Sequence, residues 1–271
     1  MAKKQKKDID NLIEQSGIIT HHKVIEILIN DGWDVLISPY YYDNINNTVR
    51  EIDIIAEKQC NSSSFRDSSG QVNIQLFIEC KYINNEIVFW FDNKDVDRAV
   101  EKFQKETSLK VLHRCSSADI LTSDLHYLEN SKVAKLFSAN KNKEDIIYKA
   151  FTQCLNSKIY YDQWQNHPIF KQFNQNQSTC TKILKYPIIV CDNFKNFKRI
   201  IFEDNEHKTE QIDSNFQLEI NYTYLDKDKK STINDNFLID VVNFDGLSSF
   251  LEGIHAEAKK INSALIDKTF N

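Results

Sequence analysis

The sequence predicts a single α/β domain, a mixed central sheet flanked by helices and followed by a C-terminal strand-and-helix extension. Three observations predict it. Apolar residues recur with helical period after Gly17, over about 95–106 and 144–159, and again from Asp245 onward. Strand-sized apolar runs fill the text between them, and Asn, Ser, Asp and Gly cluster at 43–48 and 59–70 as turn and loop signals. The apolar share, 41% of 271 residues, supplies a full core, and no internal repeat or Pro/Gly-rich linker divides the chain.

In order along the chain, residues 1–8 carry Lys3, Lys4, Lys6 and Lys7 and read as a flexible basic tail ahead of a domain spanning 9–271. Thr20 is the expected N-cap of the first helix, Val24, Ile25 and Leu28 its apolar face, and Asp31-Gly32 its end. Strands are expected over 33–41, 50–58 and 72–82, so the helix leads into an antiparallel meander. Val96, Ala99, Val100 and Phe103 form the buried stripe of a second helix; 111–142 reads as mixed strand and loop. Ile146, Ile147, Ala150, Phe151, Cys154 and Leu155 share one face of a third helix. Strands follow at 186–191, 216–224 and 237–242, and the last helix carries the stripe Leu247, Phe250, Leu251, Ile254, Ala258, Ile261 and Leu265.

Composition narrows the function classes. The net charge of −5 argues against a protein that coats nucleic acid through bulk positive charge, though not against a site that holds a cation. Cys60, Cys80, Cys115, Cys154, Cys180 and Cys191 form no C-x-x-C pair, so they are read as reduced apolar fillers, not a zinc site or disulfide framework. The longest apolar runs are strand-sized, and the charged start is not followed by an apolar stretch; the expected location is the cytoplasm.

The chemistry-bearing text is Arg50-Glu51-Ile52-Asp53-Ile54-Ile55-Ala56 and Phe77-Ile78-Glu79-Cys80-Lys81. Side chains alternate along a strand, so Glu79 and Lys81 share one face while Ile78 and Cys80 take the other. Asp53 sits among apolar residues, where a carboxylate is costly unless something binds it. Paired as a hairpin, the two strands set Asp53 beside Glu79. Two converging carboxylates suit a hard divalent cation, and an adjacent lysine can hold a water or offset charge in a transition state.

Asp53 followed by Glu79-Cys80-Lys81, after a helix and a first strand, resembles the PD-(D/E)XK pattern of restriction-endonuclease-like nucleases, in particular the Mrr-like and Holliday-junction-resolvase-like branches. The resemblance covers about 10–110. It implies a restriction-endonuclease-like mixed sheet and Mg²⁺-dependent cleavage of DNA in restriction, repair or phage defence, with Mn²⁺ as a substitute ion. Asp53 and Glu79 become metal ligands, and Asp53, Glu79 and Lys81 the catalytic set. An RNA-directed nuclease, or a subunit of this fold that mainly binds a partner protein, are the alternatives.

Many relatives carry a glutamate near the start of the first helix; here the stretch reads Gly17-Ile18-Ile19-Thr20-His21-His22. Glu26 falls on the solvent face and Glu14 precedes the helix, so His21 takes the inner position, as a neighbour of the site or as a core histidine. Lys94, Arg98, Lys102 and Lys105 fall at i, i+4, i+8 and i+11, one basic stripe that either tracks phosphates or is a solvated face. Gln153 reads as helix surface and Tyr40, Tyr41 and Tyr42 as strand packing. The length of the final apolar stripe suggests a homodimer through the last helix.

Overall fold

The computed structural model describes residues 16–60, 71–107, 111–112, 120–121, 125–137, 146–164, 181–203, 206–226 and 230–270, with isolated positions elsewhere. The basic tail, Glu14, Cys115, Cys180 and most of the 59–70 loop lie outside the described residues. Helix α1 (Ile18–Asn30) leads into β1 (Asp34–Ile37), a hairpin of β2 (Tyr40–Asp43) and β3 (Thr48–Glu51), then β4 (Ile54–Cys60) and β5 (Gln71–Lys81). Next come β6 (Ile87–Asn93), α2 (Val96–Thr107), the short β7 (Val111–Leu112) and β8 (Ile120–Leu121), α3 (His126–Glu129), β9 (Lys132–Phe137) and α4 (Ile146–Trp164). The chain closes with β10 (Thr181–Cys191), β11 (Phe197–Glu203), β12 (Glu206–Gln211), β13 (Phe216–Leu225), β14 (Thr232–Asn243) and α5 (Leu247–Phe270).

Ten strands form one mixed sheet in the order β1-β4-β5-β10-β14-β13-β9-β6-β11-β12. β1, β4 and β5 are the antiparallel meander. β10 then runs parallel to both β5 and β14. An interior parallel strand is covered on both faces and therefore reads as continuous apolar text, which is why Pro187 to Cys191 carries no alternation. The C-terminal segment is built into the sheet: β14 lies between β10 and β13.

Alternation along β5 and β10 divides the core. Ile74, Leu76, Ile78 and Cys80 join Leu184, Tyr186, Ile188 and Val190 under α1 and α5. Ile189 and Cys191 face the opposite way, toward Ile147, Ala150, Phe151 and Cys154 of α4. Leu247, Leu251, Ile254, Ala258 and Ile261 of α5 are buried in the first cluster, with Leu265 packed against it. That stripe packs within the chain's own core.

Helix α1 ends as expected. Gly32 takes φ 76° and donates to Ile29 O, while Trp33 donates to Leu28 O. It does not begin as expected. Gly17, in the left-handed region at φ 76°, occupies the N-cap, and Thr20 is buried inside the helix. A Cβ on Gly17 would lie 3.4 Å from the Tyr82 backbone nitrogen and 3.5 Å from the Cys80 carbonyl oxygen. The helix start thus packs directly on the backbone that ends β5. Gly17→Ala is expected to destabilise the fold by about 1–2 kcal/mol, the cost of a left-handed backbone with a Cβ, measurable by urea denaturation.

A buried polar network joins the two halves of the sheet. Lys94 Nζ donates to Gln217 Oε1 at 2.6 Å, and Gln217 Nε2 donates to Asp240 Oδ1 at 3.2 Å. Asp240 Oδ1 also pairs with His126 Nε2 at 2.8 Å, and Glu257 accepts from the His126 backbone and from the Tyr186 hydroxyl. Burial works to lower the His126 pKa, but Asp240 beside it holds the imidazolium above its ordinary value. No described helix is long and apolar enough to cross a membrane.

Candidate active site

The β4–β5 register pairs Ile54 with Ile78. One residue earlier, Asp53 stands next to Glu79. The strand expected over 50–58 is interrupted here: β3 ends at Glu51 and β4 begins at Ile54, so Asp53 sits in a bend at the mouth of the sheet and not inside a strand. Long-range contacts hold that bend. Ser38, itself at φ 52°, donates its N–H to Asp53 O at 2.8 Å, and Ile52 N–H donates to Pro39 O at 3.1 Å. His21 Nε2 lies 3.1 Å from the same Asp53 carbonyl. A carbonyl only accepts, so Nε2 carries the proton. His21 is therefore a neighbour of the site that positions the Asp53 backbone. Glu26 is exposed and pairs with His22, as its helical position predicts.

The three side chains converge. Asp53 Oδ2 accepts from the Cys80 N–H at 2.7 Å, and Glu79 Oε1 accepts from the Asp53 N–H at 3.3 Å. Lys81 Nζ lies 2.5 Å from Glu79 Oε2 and 3.9 Å from Asp53 Oδ2. Side-chain exposure grades outward, 0% for Glu79, 17% for Lys81 and 28% for Asp53. The cluster thus runs from a fully buried Glu79 to a partly exposed Asp53. Burial pushes the Glu79 carboxyl up to about 8, Lys81 opposes this, and Asp53 adds to it. Burial tends to lower the Lys81 pKa, but Glu79 and Asp53 hold the ammonium above its ordinary value.

Helix α4 roofs this face. Cys154 is fully buried, with its Sγ 3.3 Å from Ile188 O, and Tyr161 packs on Phe77 with ring centroids 5.9 Å apart. Gln153 is not free helix surface. Its Nε2 donates to Glu51 O at 3.1 Å and ties α4 to the strand that enters the Asp53 bend. Tyr41 packs on Ile52, Ile55 and Phe77, as strand packing requires, whereas Tyr40 is exposed beside the mouth.

The basic stripe is not assembled here. Lys94 precedes α2 and is buried, with Nζ on Gln217 and on Tyr127 O at 2.5 Å. Burial lowers its pKa to about 8. Lys102 Nζ donates to Asn236 O at 2.6 Å and stands 3.9 Å from the Phe237 ring centroid. Arg98 is exposed, 4.0 Å from Asp95 and 3.4 Å from Asn221. The Lys105 side chain lies outside the described residues. Ala99, Lys102 and Phe103 line a cavity with Leu184 to Pro187 of β10, upstream of Ile189, the residue paired with Glu79. Lys94 therefore faces the interior and Lys102 the far end of the sheet, while Arg98 stays at the surface.

Among the described residues no three His, Cys, Asp or Glu side chains converge as a metal cage. The donors on offer are two carboxylates, with the Cys80 carbonyl on the same strand edge as the N–H that meets Asp53. An all-oxygen set with few protein ligands suits Mg²⁺, which keeps several waters, and does not suit a closed zinc site. No family model, curated protein or solved structure matches the chain.

Proposed function

We propose that this protein is a Mg²⁺-dependent nuclease in which Asp53 and Glu79 hold the cation and Lys81 serves the reacting phosphate. One observation carries the reading: a carboxylate with no exposed surface, Glu79, lies against Asp53 and Lys81 at the open end of the sheet. Burying such a charge costs several kcal/mol, which a bound cation between the two carboxylates offsets. The helix-then-meander order and the parallel β10 beside β5 accord with the resemblance to restriction-endonuclease-like nucleases.

The bound cation supplies a Lewis acid and a water of lowered pKa. The chain's own groups do the rest. Glu79 and Asp53 fix the donor oxygens, with Asp53 oriented by the Cys80 N–H. Lys81, kept cationic by both carboxylates, orients water and stabilises charge developing on phosphate. His21, Ser38 and Gln153 brace the bend that carries Asp53. DNA is the substrate class the resemblance favours. The test is incubation of the chain with supercoiled plasmid, linear duplex and RNA in Mg²⁺, Mn²⁺ or EDTA. The expected result is cleavage of DNA that requires the cation. Cleavage that persists in EDTA, or no cleavage of any substrate, contradicts the proposal.

A further inference from the structure

We propose that two copies of this chain associate through the outer edge of β12, in an antiparallel pairing centred on Thr209. β12 is the last strand of the sheet, and among the described residues no strand pairs with its outer edge. The direction of its free groups follows from its inner neighbour. Ile212 N–H donates to Phe197 O, so 212 and, by alternation, 210, 208 and 206 turn their backbone groups toward β11. His207, Thr209 and Gln211 therefore present N–H and C=O outward.

A closed two-fold pairing of identical edges keeps each residue on its own face of the sheet, so paired positions must share parity. The two registers centred nearest the middle of β12 use the most outward groups. One sets Lys208 against its own copy and Glu206 against Glu210 of the partner subunit, placing like charges together. The other pairs Thr209 with itself, His207 with Gln211 and Lys208 with Glu210 of the partner subunit. Of these two only the second sets opposite charges together, and it supplies about six main-chain hydrogen bonds with a β-branched pair at the axis. Lysine on an edge strand ordinarily deters association; here each lysine meets a carboxylate. Lys208 and Glu210 are both substantially exposed, and both lie on the face that carries the Arg199–Glu210 pair, which the new contact extends.

The dimer has a consequence for the site. β5 is third and β12 tenth in the sheet, seven strand steps apart. The two candidate sites are then roughly 70 Å apart along the joined sheets, too far to cut opposite strands at one position. The association itself does not depend on the nuclease reading, and its test reads mass, not cleavage.

The experiment is sedimentation of the full chain over a concentration series. A short edge pairing predicts a dimer with a micromolar dissociation constant. Lys208→Glu alone and Glu210→Lys alone each place like charges opposite one another twice and are expected to weaken association at least tenfold, to monomer at the same concentrations. An equimolar mixture of the two variants restores opposite charges at both contacts and is expected to regain the dimer. Thr209→Pro removes only an outward N–H and is expected to give a monomer with an unchanged melting temperature. A wild-type chain that stays monomeric to several hundred micromolar overturns the proposal. So do single reversals that still dimerise, or a mixture no more associated than its components.

Discussion

Asp53→Ala or Glu79→Ala is expected to lower phosphodiester cleavage by about a thousandfold or more, the several kcal/mol that cation-based stabilisation of the transition state supplies. The fold is expected to survive, because either variant leaves Lys81 one carboxylate beside it and leaves the apolar clusters intact. Stability should instead respond to pH through Glu79. Its pKa is about 8 in the fold, against an ordinary 4.5. Between those values the folded chain keeps a proton that the unfolded chain has lost. Stability in EDTA therefore falls as pH rises from 4.5 and is lowest above 8. Glu79→Gln removes that dependence: it should match wild type near pH 4 and exceed it by a few kcal/mol near pH 9, read by urea denaturation. Full cleavage activity in either alanine variant would remove the catalytic assignment.

The largest loss of stability is expected from Asp240→Ala. Removing this carboxylate takes from the buried His126 imidazole its charged partner and from Gln217, the partner of Lys94, an acceptor. Breaking a buried pair from one side costs about 3–5 kcal/mol. The pH dependence has the opposite origin to that of Glu79 but the same direction. The His126 pKa is raised in the fold, so the pair's contribution is complete below the ordinary value of 6.5 and is lost as pH rises through the folded value. Asp240→Asn should accordingly cost more at pH 5.5 than at pH 9. Equal losses at the two pH values would mean that packing and not charge holds this region.

The local part of this architecture was legible and the distant part was not. Asp53, Glu79 and Lys81 can be found because strand alternation and a short separation bring them together without help from the rest of the fold. Lys94 misleads because it continues the spacing of Arg98 and Lys102, yet the helix starts at Val96 and Lys94 turns inward to Gln217, 123 positions away. No local pattern carries that contact. Gln153 is misread for the same reason, since its acceptor, Glu51 O, lies 102 positions earlier. The N-cap went to Gly17 over Thr20 because the cap must lie flat on the backbone of Cys80 to Tyr82, a demand that capping preference alone does not express. The interior placement of β14 likewise depends on pairing between distant strands, which hydrophobic period does not specify.

Asp53 and Glu79 are proposed to form a cation site. Mn²⁺ titration followed by electron paramagnetic resonance measures it without any assumption about substrate. A single ion is expected to bind per wild-type chain and to be displaced by Mg²⁺, and that binding is expected to be lost in both Asp53→Asn and Glu79→Gln while each variant keeps its wild-type circular dichroism. Undiminished binding in the two variants, or no binding by the wild-type chain at millimolar Mn²⁺, would contradict it.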